Sequence, residues 1–434
     1  MVDRQINVNY LARVEGEGAL RIKILEDEIG DVQLNIFEPP RFFEAFLQGR
    51  GYQETVDITA RICGICPVAY QMSAAHALEK ALNMSPPPGV RSLRRLLYLG
   101  EWIESHGLHV YMLHAPDFVG YESAISMAAD PELRPLVERG LRMKKIGNNL
   151  MTVIGGREIH PVSVCVGGFY SVPGQARLKA LIPDLEWGLN AAIETVRWAA
   201  TLEFPVFEMD YDFVSISHPE EYPINEGNII SSSGLNISMD LYEEHFAEEH
   251  IAHSNALHSS RVGNGSSYFV GPLARVNLNF DRLSPRARDI AQEIGFSPPV
   301  INPFKSLIAR GLELVHAFEE SIQIINEYHK PHPCRTLPPA TLTPGDGAHA
   351  TEAPRGTLYH RYSVNEEGLI TSAKIVAPTS QNLKRMEVDL WSYAPGVLSL
   401  PLEEATLRCE QLVRSYDPCI SCATHFLTLE IERS

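Results

Sequence analysis

Two Cys-x-x-Cys pairs, Cys63-Gly64-Ile65-Cys66 and Cys419-Ile420-Ser421-Cys422, lie near opposite ends of a 434-residue chain. Two thiolates at this spacing can hold one metal ion, and four together favour zinc, iron or nickel over hard cations. Gly64 lets the backbone approach closely, and Pro67 suits the first turn of a helix. A thiolate at a helix N-terminus is stabilised as the anion that a metal requires. From spacing alone, a structural four-cysteine zinc site or an iron–sulfur cluster explains the pairs as well as anything rarer. Structural zinc modules usually draw their ligands from a short stretch, however, so pairs this far apart imply a site closed by the whole fold. The total of seven cysteines is odd, a poor disulfide framework. Cys165, Cys334 and Cys409 stand alone and read as small buried apolar residues.

The elements that must bring the pairs together are mostly helical. Apolar periodicity predicts helices near 67–83, 90–114, 131–150, 176–203, 284–295 and 301–329, with short ones near 381–394 and 402–414 before the second pair. Alternation predicts a β-hairpin over 19–38 with its turn near Glu28-Ile29-Gly30-Asp31. A second is predicted over 357–376 with its turn at Asn365-Glu366-Glu367-Gly368. The stretch 204–280 reads as mixed and partly β, and a Pro/Thr/Gly-rich loop is expected from Pro331 to about Ala350. No repeat or long linker divides the chain. We therefore expect a mainly α protein with small β elements, one large domain over 1–434, its site formed where 61–66 meets 417–425.

Around the pairs, five segments in order resemble the large subunit of nickel–iron hydrogenases. They are Arg13-Val14-Glu15-Gly16, Arg41-Phe42-Phe43-Glu44, Arg61-Ile62-Cys63-Gly64-Ile65-Cys66, Glu352-Ala353-Pro354-Arg355-Gly356 and Asp417-Pro418-Cys419-Ile420-Ser421-Cys422-Ala423-Thr424-His425. Gly155-Gly156-Arg157-Glu158-Ile159-His160-Pro161 with Gly167-Gly168 adds a less specific sixth. The resemblance implies that family's helical fold and a nickel–iron centre whose iron carries carbon monoxide and two cyanides. It implies that Cys63, Cys66, Cys419 and Cys422 bind nickel, with Cys66 and Cys422 bridging to iron. Heterolysis of H2 needs a Lewis-acidic metal pair and a nearby base; Cys419 is the implied first proton acceptor and Glu15 the carboxylate that passes the proton outward. Arg355 aligns with the arginine over the open metal position, with Asp417 expected to hold it by a bidentate pair. Thr379 aligns with a hydroxyl that bonds a cyanide. Glu44, His425 and the carbonyl of Ile375 match a magnesium or iron(II) site.

Taken singly, these residues have ordinary readings: Glu15 and Glu44 as surface glutamates, Arg355 as a solvated arginine, Thr379 as a turn former. Their shared register outweighs those readings. Two positions depart from the pattern. Tyr70 stands where many relatives have a histidine bonded to the bridging sulfur, with His76 further along read as a packing residue. In Glu104-Ser105-His106, Ser105 replaces an active-site carboxylate. With the lack of a signal peptide, these departures resemble the cytoplasmic, NAD(P)-linked heteromultimeric group. Electrons would leave through an iron–sulfur small subunit and flavin-bearing diaphorase subunits, because this chain carries neither a cluster-binding cysteine set nor a Gly-x-Gly-x-x-Gly fingerprint. Residues 426–434 are either a removable extension or a permanent tail.

Composition narrows the alternatives. The net charge of −17 excludes nucleic acid as a natural partner. No apolar run reaches the ~18 residues of a membrane span. Two rival classes remain: a non-catalytic, quinone-binding relative of the kind found in respiratory complex I, whose lineage lacks the four thiolates, and a zinc-stapled structural subunit.

Overall fold

A computed structural model describes residues 4–26 and 28–424 of the chain. Strands β1 (Arg4–Val8), β2 (Gly18–Leu25) and β3 (Glu28–Ile36) form an antiparallel sheet. Its hairpin turns between Leu25 and Glu28, earlier than the expected Glu28–Asp31, because the alternation of β3 begins at Glu28 itself. The short α1 (Phe43–Leu47) follows. Helix α2 (Pro67–Ala81) starts directly after Cys66, with Pro67 at its first position as expected. Helix α3 (Val90–Leu108) is almost wholly buried and runs into a π-helical turn at His109–His114. It packs against α4 (Arg134–Gly155). The backbones meet there: a Cβ on Gly147 would lie 2.6 Å from the Gly100 carbonyl oxygen.

The helix expected over 176–203 is two, Gln175–Lys179 and α5 (Ile182–Ala200), because Pro183 starts a new first turn. Between them and the C-terminal half lie the small sheet β4 (Val214–Ser217), β5 (Asn228–Ser231), β6 (Asn236–Ile237) and the hairpin β7 (Phe246–Glu249), β8 (His258–Arg261). This is the mixed region that the sequence predicts. Helices α6 (Pro272–Asn279), α7 (Pro285–Glu293) and α8 (Ser306–Glu327) follow.

The loop expected up to Ala350 ends early. Gly345–Ala353 is a strand, β9, paired with β10 (Gly356–Val364), which pairs with β11 (Ile370–Val376). The glycines that make this stretch read as loop are there for contact. A Cβ on Gly347 would sit 2.0 Å from the Ala77 carbonyl oxygen, and one on Gly345 2.1 Å from that of Ala81. Strand β9 therefore rests directly on the backbone of α2. Gly347→Ala should push the two apart and cost about 3 kcal/mol, at the upper end of overpacking penalties; a denaturation midpoint equal to wild type would refute the contact.

Helix α9 (Pro378–Tyr393) begins three residues before its expected start, and α10 (Leu402–Ser415) leads to the last short helix, α11 (Ile420–Ala423). One hydrophobic cluster links residues from Ile6 to Ala423, with all four paired cysteines inside it. Cys165 and Cys409 are buried as expected, whereas Cys334 is half-buried. No helix among the described residues is long and apolar enough to cross a membrane.

Candidate metal centre

The fold brings the two cysteine pairs into one buried group. Cys63 Sγ lies 3.6 Å from Cys419 Sγ, and Cys66 Sγ 3.6 Å from Cys422 Sγ. Cys419 and Cys422 are 3.0 Å apart, and none of the four is in a disulfide. Amide N–H groups of Ile65 and Cys66 donate to Cys63 Sγ at 3.3 and 3.4 Å. The sulfurs differ in proton affinity: hydrogen bonds, first from Cys419, hold the Cys63 thiol well below its ordinary range, while burial pushes that of Cys419 well up. Four thiol groups closed off from water, each within 4.8 Å of the others, fit a soft or borderline transition metal.

The two cysteine loops are clamped by a residue whose role its sequence did not reveal. The Arg41 guanidinium donates to the Ile62 carbonyl, next to Cys63, at 2.8 Å, and also to the Ser421 carbonyl between Cys419 and Cys422. The Arg41 amide itself donates to Thr424 O at 2.8 Å. Arg41→Ala removes a charged donor from two carbonyls, each bond worth roughly 1.5–3 kcal/mol. Amide exchange in segments 62–66 and 419–423 should accelerate at least tenfold; unchanged exchange in both would show that the clamp is dispensable.

Glu15 reaches the centre from the N-terminal segment. Cys419 Sγ donates to Glu15 Oε2 at 3.0 Å, and the Ser421 N–H donates to the same oxygen at 3.1 Å. Backbone bonds from Glu15 N to Pro418 O (3.3 Å) and from Ile420 N to Glu15 O (2.9 Å) hold the segments side by side.

Arg355 occupies the two-residue turn between β9 and β10, where Ala353 pairs with Gly356. Its Nε donates to the Asp417 carbonyl at 3.0 Å and lies 3.2 Å from the Asp417 carboxylate. The pair is not the expected bidentate one. Only Nε faces Asp417, because the residue sits at φ 56° with its carboxylate turned toward Arg310 as well, 3.7 Å away. Both terminal nitrogens of Arg355 are buried without a partner. Burial works against the guanidinium charge, but Asp417 and the sulfurs of Cys419, Cys66 and Cys63 raise its pKa well above the ordinary value. Two buried donors left free beside four sulfurs are what a group bound at this centre would occupy.

Thr379 stands in the first turn of α9 rather than in a loop, and its hydroxyl oxygen accepts the Cys419 N–H at 2.9 Å. Its own O–H remains available to donate. The Tyr70 hydroxyl is buried without a hydrogen-bond partner; burial first, then the charges of Cys422 and Cys66, push it well up. Ser105 is buried on α3 with its hydroxyl unpaired. Beside it, Glu104 binds Lys144 at 2.5 Å while also feeling the charge of Arg355, and His106 Nε2 pairs with Glu313 at 2.8 Å. His76 stacks on His349. Glu44 accepts the Ile375 N–H at 2.7 Å, so the carboxylate lies beside residue 375 through its amide rather than through the carbonyl expected as a ligand. His425 lies outside the described residues, as does the tail 426–434.

Glu101 is the residue that sequence reasoning missed. It is fully buried on α3 and accepts the N–H groups of Val68 (2.6 Å) and Ala69 (3.1 Å), buried first-turn amides of α2 just after Cys66. Burial drives its pKa well up despite both bonds. The only cue was a glutamate on the apolar face of a long helix. Glu352, quoted above as a motif residue, likewise proves to be scaffold. It accepts the Ile216 N–H at 2.8 Å and the Arg275 guanidinium at 3.1 Å, and Arg275 also grips Glu313 at 2.7 Å through each of two nitrogens.

Comparison with known proteins follows the same outline. A family model described as nickel-dependent hydrogenase matches residues 41–134 and 264–425. The sulfhydrogenase 1 subunit alpha of Pyrococcus furiosus is 34% identical over 426 residues, covering 98% of each chain. The NAD-reducing hydrogenase HoxS subunit beta of Cupriavidus necator is 26% identical, covering 98% of this chain and 96% of that one. Among solved structures, an NAD+-reducing [NiFe]-hydrogenase in the H2-reduced state superposes with a TM-score of 0.85 at 26% identity, over 97% of this chain and 99% of that one.

Proposed function

This chain belongs to the nickel-dependent hydrogenase family as a large subunit with a nickel–iron centre, and from that premise we propose that it is the catalytic subunit of a cytoplasmic hydrogenase that cleaves H2 reversibly and delivers the electrons toward NAD(P). The observation that carries the reading is the convergence of four buried sulfurs with a carboxylate 3.0 Å from one of them and two unpaired guanidinium nitrogens beside them. Cys63, Cys66, Cys419 and Cys422 would hold the nickel–iron group, Cys66 and Cys422 being the sulfurs that the family resemblance assigns to both metals, with carbon monoxide and two cyanides as the iron's further ligands. When bound, the metal pair supplies the Lewis-acidic centre that polarises H2 and takes its electrons.

The chain's own groups then handle the proton and the electrostatics. The Cys419 sulfur takes the proton, and Glu15 Oε2 receives it across 3.0 Å. The Ser421 N–H donates to the same oxygen at 3.1 Å and keeps the carboxylate positioned beside the sulfur. Arg355 would offer its two unpaired terminal N–H groups, and Thr379 its O–H, to whatever is bound at the four-cysteine centre. Tyr70 would give the bridging sulfur a phenol in place of a histidine, and Ser105 would leave Arg355 one acidic partner fewer. Glu44, the Ile375 carbonyl and His425 hold magnesium or iron(II). An iron–sulfur small subunit and a flavin-bearing diaphorase receive the electrons, and 426–434 is either removed from the chain or retained.

Stoichiometric nickel in the purified enzyme, with infrared stretches from carbon monoxide and cyanide, is the expected result; zinc alone in the four-cysteine site would overturn it. H2-dependent reduction of NAD+ or NADP+ by the whole complex tests the acceptor separately.

A further inference from the structure

Away from the cysteines, a second set of metal-ligating side chains converges where the β7–β8 hairpin docks on α9. His253 in the hairpin loop, His258 at the start of β8 and Glu387 on α9 each bring one ligand atom within 4.8 Å of the others. Glu387 spreads its carboxylate between the two rings. Its Oε1 lies 2.8 Å from His253 Nε2 and accepts the N–H of Leu34 on β3 at 2.8 Å. Its Oε2 faces His258 Nδ1 at 3.7 Å.

That last separation is too long for a hydrogen bond. It is close to the ~3.4 Å that two ligands keep around one tetrahedral ion at bonds of roughly 2.1 Å. The His258 side chain is only 2% exposed, and its Nε2 is buried without a partner. Buried ring nitrogens are rarely left unpaired; here Nε2 is the unpartnered atom, while Nδ1 is the one that faces the Glu387 carboxylate without bonding it. Lys384, a turn earlier on α9, bonds Glu249 at 3.1 Å, although its charge still acts on His258. His253 and Glu387 keep 21% and 17% of their side-chain exposure, so the cluster opens to solvent on one side and an ion has an entry path and room for water.

We propose that His253, His258 and Glu387 bind a divalent transition-metal ion, zinc by preference, at a site separate from the four-cysteine centre. Two imidazoles and one carboxylate suit a borderline cation and offer too few oxygens for calcium. The ion would pin the hairpin loop and β3 to α9. The same helix carries Thr379, the acceptor of the Cys419 N–H, two turns before Glu387, so the site braces an element of the catalytic centre from outside.

The test uses the nickel-loaded complex, freed of loosely held ions with a mild chelator and titrated with zinc chloride. Wild type should take up one more equivalent of zinc than His253→Ala, with nickel content and H2 oxidation equal in both. Glu387→Gln keeps an acceptor for the Leu34 N–H, so the fold is preserved, and should weaken zinc binding on the order of 100-fold. Zinc X-ray absorption should show a nitrogen and oxygen shell with imidazole scattering and no sulfur. Equal zinc uptake by wild type and both variants, or a sulfur shell, would overturn the proposal.

Discussion

Glu15→Gln should leave nickel content unchanged and lower H2/D+ exchange by roughly 10²–10⁴, the usual contribution of a positioned proton-transfer group. The substitution is nearly isosteric. A glutamine oxygen can still accept the Ser421 N–H that Glu15 now accepts at 3.1 Å, and the backbone bonds of residue 15 to Pro418 and Ile420 do not involve the side chain. The packing of the N-terminal segment against the second cysteine loop therefore survives. The amide cannot take a proton from Cys419 Sγ across the 3.0 Å that now separates the sulfur from Glu15 Oε2. Electron transfer to an artificial acceptor at a fixed metal state and the infrared spectrum should stay at wild-type values, because neither requires the carboxylate. Near-normal exchange in a nickel-replete Glu15→Gln protein would remove Glu15 from the proton route.

How much of this was legible in the sequence depends on which signal each element carries. Helix α2 could be placed from Pro67 onward because a helix start, a proline and an apolar face coincide there. The turn at Asn365–Gly368 was equally plain. Strand β9 was not, since its two glycines mimic a loop while serving a backbone-to-backbone contact with α2 that no local pattern encodes. The site divides in the same way. Cysteine spacing points to a metal, but the rank of the other residues comes from contacts between distant segments. Arg41 looks like any arginine until the Ile62 and Ser421 carbonyls are seen beside it. Glu101 needs two amides from another helix before it reads as anything but a misplaced charge. Asp417 was expected as a simple partner for Arg355; its positive φ, and Arg310 on its other side, made the pairing end-on through Nε. His253, His258 and Glu387 lie in segments with no motif, and only the docking of a hairpin on α9 joins them.

The end-on geometry gives Arg355→Lys a sharp expected outcome: a folded, nickel-bearing protein with H2 oxidation lowered by roughly 10²–10³, as for loss of one preorganised donor in a dry site. Lysine keeps a positive charge beside Asp417, so the buried carboxylate is not stranded between the turn and Arg310. Arg355→Ala leaves that carboxylate with only the looser Arg310 contact at 3.7 Å, so stability should fall by up to about 3 kcal/mol, the low end for breaking a buried ion pair. What lysine cannot reproduce is the division of labour within one guanidinium. In Arg355 the Nε is spent on the Asp417 carbonyl at 3.0 Å and its carboxylate at 3.2 Å, which fixes the plane and leaves two nitrogens directed away from the anchor. An ammonium is a single centre that must serve either the anchor or the open position. The two variants thus separate anchoring from catalysis: Arg355→Ala should lose thermal stability and activity together, and Arg355→Lys activity alone. A Lys variant with wild-type turnover would mean that charge at this position is enough, and that the unpaired guanidinium nitrogens have no part in the reaction.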